Sequence, residues 1–239
     1  MDGSRRATYG ADMTHGAYVC LDEPAEIPEL GLRNEFAPGD GDDTYALLRR
    51  VNATAADIDD DPLLQARAIV HVAADEARVD AFCSAFPTAR ILRGALPPMR
   101  YTGGAMFDFA YKHRVLQHPG DEMPNAFLLP LRKTPEWWAK DWKERHTYFL
   151  PRYDDGEMVA EGHAWAAREG VPAMLRRTYE SEGEYDFVTY FECADNGVPT
   201  FHAVCDALRD VARNPEWAFV REGPTWQGRR VATVDELFA

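Results

Sequence analysis

The chain has 239 residues with 26 Lys and Arg against 40 Asp and Glu, a formal net charge of −14. With 46% hydrophobic and 28% charged residues it has ordinary globular composition, which excludes wholesale disorder and fibrous repeats. So acidic a surface repels phosphodiester backbones and anionic lipid headgroups, which argues against nucleic-acid and membrane partners.

No apolar run follows Arg5 and Arg6 to make a secretory signal, and no stretch of about 20 apolar residues could span a bilayer. A soluble, cytoplasmic protein is expected. Cys20, Cys83, Cys193 and Cys205 show no C-x-x-C spacing and no Cys/His cluster of zinc-ligand spacing, and read as small core residues in a reducing compartment.

In chain order, the acidic, turn-rich stretches 38–43 and 57–62 read as loops, with a short helix predicted between them over Thr44–Val51. Ala66–Ala73 reads as a strand. Asp75–Phe86 reads as a helix with Ala77, Val79, Ala81, Phe82 and Ala85 on its apolar side. Between 88 and 125, Gly94, Pro97, Pro98, Gly103 and Gly104 break every period and no element is assigned.

The last 95 residues are more regular. His146–Tyr153 is aromatic-rich and reads as a strand. Asp154 with Glu157 three residues on reads as a capping box opening a helix to about Glu169. Met174–Tyr179 and Phe187–Glu192 read as strands around a turn at 181–184. Phe201, Val204, Cys205, Leu208, Val211 and Ala212 form a period-3.6 stripe on a helix opened by Pro199-Thr200, and Trp217–Arg221 closes as a strand. The order β-α-β-β-α-β is a ferredoxin-like unit. The first half is read as a degraded copy of it.

Three clusters carry candidate chemistry. His163 is flanked at one helical turn by Val159, Ala160, Ala166 and Ala167, small residues that would leave a flat space for a planar cofactor or let the helix sit close to a sheet with His163 in the core. Arg176 and Arg177 are adjacent on a strand and point to opposite faces; a buried guanidinium there suggests an anionic ligand, an exposed one a salt bridge to Glu180, Glu182 or Glu184. Lys133-Thr134-Pro135-Glu136-Trp137-Trp138, followed by Arg145, is either a site wall or linker packing. His113 and His118, five apart, do not share a helix face. No P-loop, dinucleotide fingerprint, nucleophile elbow or H-E-x-x-H occurs.

Taken together these pieces resemble the chlorite dismutase family of haem proteins, which includes the coproheme decarboxylases. The resemblance covers about Leu128–Gly228 and rests on K-T-P-E-W-W at Lys133–Trp138, Glu144-Arg145, Glu161-Gly162-His163, Arg176 thirteen residues later, Tyr179–Gly183, D-F-x-x-Y-F-E at Asp186–Glu192 and P-x-x-x-G at Pro224–Gly228. It implies an α+β fold of tandem ferredoxin-like units forming a dimeric α+β barrel, with a divergent first half at 1–130 and a haem-binding half at 131–239. It implies haem b as cofactor, His163 as the iron (metal) ligand, Arg176 as the distal catalytic residue, and Lys133, Trp137 and Trp138 around the cofactor. It also implies a homo-oligomer, pentameric in the family's usual form, acting on a small-molecule substrate or oxidant.

Two departures bear on activity. The family's decarboxylases carry a tyrosine four residues before the lysine, where this chain has Leu129, so decarboxylation would need another tyrosine such as Tyr101 or Tyr111. Chlorite dismutases place a glutamate behind the proximal histidine. A gap-free count puts Arg213 there, leaving Asp210, Glu216 or no carboxylate for that role. The expected function is therefore a haem-dependent oxidoreductase acting on a small oxidant or a small organic nitrogen or oxygen compound. The alternatives are chlorite decomposition to chloride and dioxygen, coproheme decarboxylation, and a non-catalytic haem carrier or sensor. Lys133, Arg145, Arg176 and Arg177 are expected to gather as a basic island within the acidic shell.

Overall fold

The structure, a computed structural model, describes residues 14–24, 44–51, 62–96, 122–168, 174–181 and 183–239. His113, His118, Tyr101, Tyr111, the loop residues 38–43 and 57–61, and Glu182 lie outside them.

Through the first half run β1 Thr14–Leu21, β2 Thr44–Arg50, α1 Pro62–Gln65, β3 Ala68–Ala74, α2 Glu76–Ser84 and β4 Arg90–Leu96. The second half opens with β5 Asn125–Lys133, α3 Pro135–Ala139, α4 Trp142–Thr147, β6 Arg152–Asp154, β7 Glu157–Ala160 and α5 His163–Ala167. It continues with β8 Met174–Ser181, β9 Phe187–Cys193, α6 Val198–Arg209, β10 Val220–Glu222 and β11 Trp226–Val231. The division expected after residue 130 falls inside β5, whose nine residues run unbroken.

Eight strands pair antiparallel in the order β5-β11-β2-β3-β1-β4-β8-β9, and β9 pairs back onto β5, so the sheet closes into a barrel. Within it β4-β1-β3-β2 and β11-β5-β9-β8 each follow the ferredoxin-like order, fourth, first, third, second. Among the described residues two strand pairings join the halves: β11 with β2 over four register pairs, and β4 with β8 over two, Gly94 with Ser181 and Ala95 with Glu180. This is the tandem α+β barrel expected from the sequence.

Alternation along each strand sends one set of side chains into the barrel and the other outward. Tyr18, Leu48, Ile69, Leu128, Tyr179 and Tyr190 belong to the interior cluster, drawn from both halves. Outside the first half, α2 covers Val19, Val70 and Val72 with Val79 and Phe82. Ala77 and Ala81, expected on that apolar side, are exposed. Outside the second half, α5 and α6 cover Phe127, Leu129 and Phe191.

Several predicted elements are corrected. Thr44–Arg50 is a strand, not a helix: it sits between β3 and β11, and its Ala46 and Leu48 go inward while Leu47 goes outward. The predicted strand at 146–153 is replaced by the end of α4, whose N-cap Asp141 accepts from the backbone N–H groups of Lys143 and Glu144. The predicted long helix from 154 is a hairpin, β6 with β7, followed by five-residue α5. Its turn takes positive φ at Asp155 (46°) and Gly156 (85°), the backbone demanded by a tight hairpin and favoured by Asp-Gly. Residues 215–219 form a 3-10 turn, short β10 begins only at Val220, and the strand that closes the unit is β11, Trp226–Val231, rather than the predicted 217–221.

Pro130 lies inside β5 although it has no N–H to give to a ladder. In the barrel β11 pairs with 125–128 of β5 and β10 with 131–133, so Pro130 sits in the gap between the two partners. Only its carbonyl is used there, accepting from Gly223 N–H at 2.9 Å.

Candidate functional site

His163 is the first residue of α5, and the backbone around it is tied down on both sides. Gly162 precedes it at φ 76°, with no room for a side chain, since a Cβ would lie 2.5 Å from the Leu150 carbonyl oxygen. The N–H groups of Glu161 and Gly162 donate to the Arg213 carbonyl at 2.8 and 2.9 Å, and those of His163 and Ala164 donate to the carbonyls of Tyr148 and Phe149 at the end of α4. The imidazole lies in the interior, 6% exposed, with its ring 5.4 Å from that of Phe149.

Behind it stands Glu216, wholly buried, whose Oε2 is 2.5 Å from His163 Nδ1. The other carboxylate oxygen accepts from Lys133 Nζ, itself buried at the end of β5 and 4.5 Å from the centre of the Trp137 ring. Burial alone would raise the Glu216 carboxyl; the charges of His163 and Lys133 overcome it and hold the group well below the usual carboxylate range. Burial likewise pulls the Lys133 ammonium down, against Glu216 and Asp186.

Glu216 reaches this place through the turn after α6. Asn214, fully buried, donates from Nδ2 to the Leu208 carbonyl at 2.9 Å, and Pro215 opens the 3-10 turn that carries the glutamate. Asp210 is spent on capping the backbone N–H of Ala212 at 2.9 Å, and Arg213 pairs with Glu161 at 2.8 Å. Of the carboxylates left open by the sequence, Glu216 is the one on the histidine. A gap-free count missed it because the chain after α6 turns through a short 3-10 segment rather than continuing as helix.

Lys133, Trp137, His163 and Glu216 thus form one buried group. Trp138 stands beside it, with its ring 6.1 Å from Phe187 and the Arg145 guanidinium 5.4 Å from its own centre. The D-F-x-x-Y-F-E strand supports the group from outside: Asp186 accepts the backbone N–H of Lys133 at 2.7 Å. Val159, expected beside His163, is instead exposed on β7, because the helix expected there is a hairpin.

Arg176 and Arg177 divide as adjacent strand residues must. Arg176 is 4% exposed, on the face covered by α5 and α6, with its guanidinium 5.7 Å from the Phe191 ring centre. Arg177 is on the opposite, interior face, where its charge acts on Tyr18, His71 and Tyr179. The expected basic island therefore loses Arg177 to the barrel interior. Glu184, offered as a surface partner, pairs with Arg90 at 2.9 Å.

Among the described residues no group of three or more His, Cys, Asp or Glu side chains could cage a metal ion, and no helix is long and apolar enough to cross a membrane. None of the four cysteines is in a disulfide.

The chain is thus a closed α+β barrel of two ferredoxin-like halves, with a carboxylate-backed histidine on a helix outside the second. No family model matches the sequence, and no curated protein matches it. Among solved structures, the chain has the fold of chlorite dismutase from Candidatus Nitrospira defluvii. An arginine-to-glutamate variant of that enzyme superposes with a TM-score of 0.62 at 21% identity over 94% of each chain. Its complex with imidazole gives a TM-score of 0.61 at 21% identity over 94% of this chain and 93% of the other.

Proposed function

We propose that this protein binds haem b through His163 and acts as an oxidoreductase on a small oxidant. The observation that carries the reading is the buried His163–Glu216–Lys133 relay. A ligating histidine characteristically gives its second ring nitrogen to a carboxylate, which fixes ring and tautomer and makes the first nitrogen a better donor. With Nδ1 engaged by Glu216, Nε2 is the nitrogen that would carry iron. A single such histidine, with no polydentate cage among the described residues, suits a porphyrin-held metal better than a bare ion.

Haem would supply the redox centre. Around it, this chain's residues have separable tasks. Glu216, kept anionic, holds the His163 Nδ1–H and raises the basicity of the ring. Lys133 balances the glutamate, so the relay remains charged without a net buried charge. Arg176, cationic on the covered sheet face, attracts a small anion and stabilises negative charge developing on it. Trp137 and Trp138 exclude water and bring Lys133 and Arg145 against their ring faces.

Chlorite decomposition is the second reading, favoured by Glu216: a carboxylate does stand behind the histidine. One chlorite ion would yield one chloride and one dioxygen, which conserves atoms and charge. Oxygen release from chlorite by the haem-loaded protein, lost in Arg176→Ala, supports it; a haem-loaded protein that releases none leaves another oxidant or a carrier role. We place the protein as a homo-oligomer, since the β6–β7 hairpin leaves Tyr153, Met158 and Val159 about half exposed or more. A monomer mass in solution contradicts that assignment.

A further inference from the structure

At the seam between the halves β8 accompanies β4 only briefly, through Gly94 and Ala95. The strands are so close there that a Cβ on Gly94 would lie 2.6 Å from the Glu180 carbonyl oxygen. Beyond Ser181 the chain leaves to turn into β9, while β4 extends back alongside β1 to Arg90. Among the described residues no strand pairs with the other side of Arg90–Arg93. A cavity of about 460 Å³ opens at that side, and six consecutive β4 residues, Arg90–Ala95, line it. A strand shows only every second residue on each face, so consecutive residues line one space only where it lies against the strand's edge. The wall is therefore backbone: the N–H and C=O groups of Arg90–Arg93 alternate between β1 and the cavity.

Charge stands on both faces of that edge. Ile91 packs on the α2 side and Leu92 into the barrel. On the α2 side Arg93 Nη2 meets Asp80 Oδ1 at 2.5 Å, with Glu76 one turn earlier; on the other face Arg90 Nη2 meets Glu184 Oε2 at 2.9 Å. Arginines on a free edge ordinarily guard it by repulsion. Here each is answered by a carboxylate, and the lining holds three carboxylates, Glu76, Asp80 and Glu184, against two guanidiniums. The edge is left able to pair, in a cavity that favours positive charge. Arg90–Arg93 spans roughly 10 Å, the reach of about three or four residues of extended chain.

We infer that the β4 edge at Arg90–Arg93 is a docking site for an extended, basic segment of a partner polypeptide. The segment adds to the sheet by backbone pairing and sets Lys or Arg side chains against Glu76, Asp80 or Glu184. Backbone pairing supplies attachment, and the carboxylates supply the choice of sequence. No residue of the His163–Glu216–Lys133 relay lines the cavity, so the inference stands independently of the haem reading.

The test uses the purified full chain and the probe acetyl-Val-Lys-Val-Lys-Val-amide, read by isothermal titration calorimetry and by amide hydrogen exchange. In the free protein the cavity-facing N–H groups of Arg90–Arg93 should exchange at least tenfold faster than those facing β1, and saturation with the probe should slow them at least tenfold. Glu76→Lys, a change at an exposed residue, should weaken the probe at least threefold. The same probe methylated on its backbone nitrogens should not bind. Equal binding of the methylated probe overturns the inference, and so does unchanged affinity in Glu76→Lys. Displacement of the probe by an equal concentration of cadaverine overturns it in favour of a small-amine site. Absence of both heat and protection at millimolar probe overturns it outright.

Discussion

Glu216 sits at zero exposure between a histidine and a lysine, and its charge has no solvent to fall back on. Glu216→Gln keeps the shape and removes the charge, leaving Lys133 buried without its counter-ion, and should cost about 3 kcal/mol or more in folding free energy. Adding Lys133→Met should recover part of that loss, because a buried pair is harder to break by halves than to replace whole. Denaturant midpoints of the two variants check both statements; a loss in Glu216→Gln below about 1 kcal/mol would contradict the relay.

A second residue tests the barrel interior. His71 lies on β3, 3% exposed, with Nδ1 2.9 Å from the Ala17 carbonyl oxygen and its ring stacked 4.2 Å from that of Tyr18. Burial pulls its pKa down to about 4, against the Ala17 carbonyl and with the help of Arg230 and Arg177. Above pH 6.5 the ring is neutral folded and unfolded. Between about 6.5 and 4 only the unfolded chain takes up the proton, so stability falls by about 3 kcal/mol across that interval as pH drops. His71→Phe should flatten that segment of the stability–pH curve, and an unchanged slope would show that other groups set it.

At this scale the sequence was legible where a residue type carried its own chemistry. His163, Lys133 and Arg176 stand out because a histidine, a lysine and an arginine in a covered fold need partners. Glu216 was left among alternatives because its role depends on a turn, not on its type or spacing. His71 was passed over: nothing in ARAIVHVA distinguishes a satisfied interior histidine from a functional one.

Between residue and molecule, the element that matters most is α5, five residues long and unable to persist on its own. It is held by the carbonyls of Tyr148, Phe149 and Arg213 and by the entry geometry of Gly162. Gly162→Ala forces a left-handed backbone on an L-residue and drives a Cβ into the Leu150 carbonyl. It should displace His163 and weaken haem uptake at least tenfold, measured by absorbance titration, while far-ultraviolet circular dichroism stays near that of the unaltered protein. Normal uptake would mean that α5 is positioned by its packing alone.

The elements also show why local signals misled. Asp154-Asp155-Gly156-Glu157 contains both a capping box and an Asp-Gly hairpin turn, and the hairpin prevails because the residues that follow leave the core: Met158 and Val159 are exposed. Asp141 with Glu144 is the capping signal that does open a helix, α4. Strands β2 and β5 are covered on both faces and lack alternation, so periodicity could not announce them.

For the whole molecule, closure of the barrel makes the two halves one cooperative unit. Tyr18 of the first half meets Tyr179 and Tyr190 of the second at ring distances of 5.8 and 5.6 Å, inside a core that neither half completes alone. Calorimetry of the unliganded protein should therefore show a single transition with equal calorimetric and van't Hoff enthalpies. Two transitions would show that the halves hold together only at their edges. The net charge of −14 belongs to this scale too. It sets what the surface repels, while Lys133 and Arg176 lie beneath that surface, so acidity outside and the proposed anion site inside are compatible.

Titration of the purified protein with haem, alongside His163→Ala and His163→Ala supplied with free imidazole, tests the central claim most directly. The account predicts a Soret band saturating at one haem per chain, lost or strongly shifted in the variant and restored by imidazole. An identical spectrum and end point in His163→Ala, or no uptake by the unaltered protein, would contradict it.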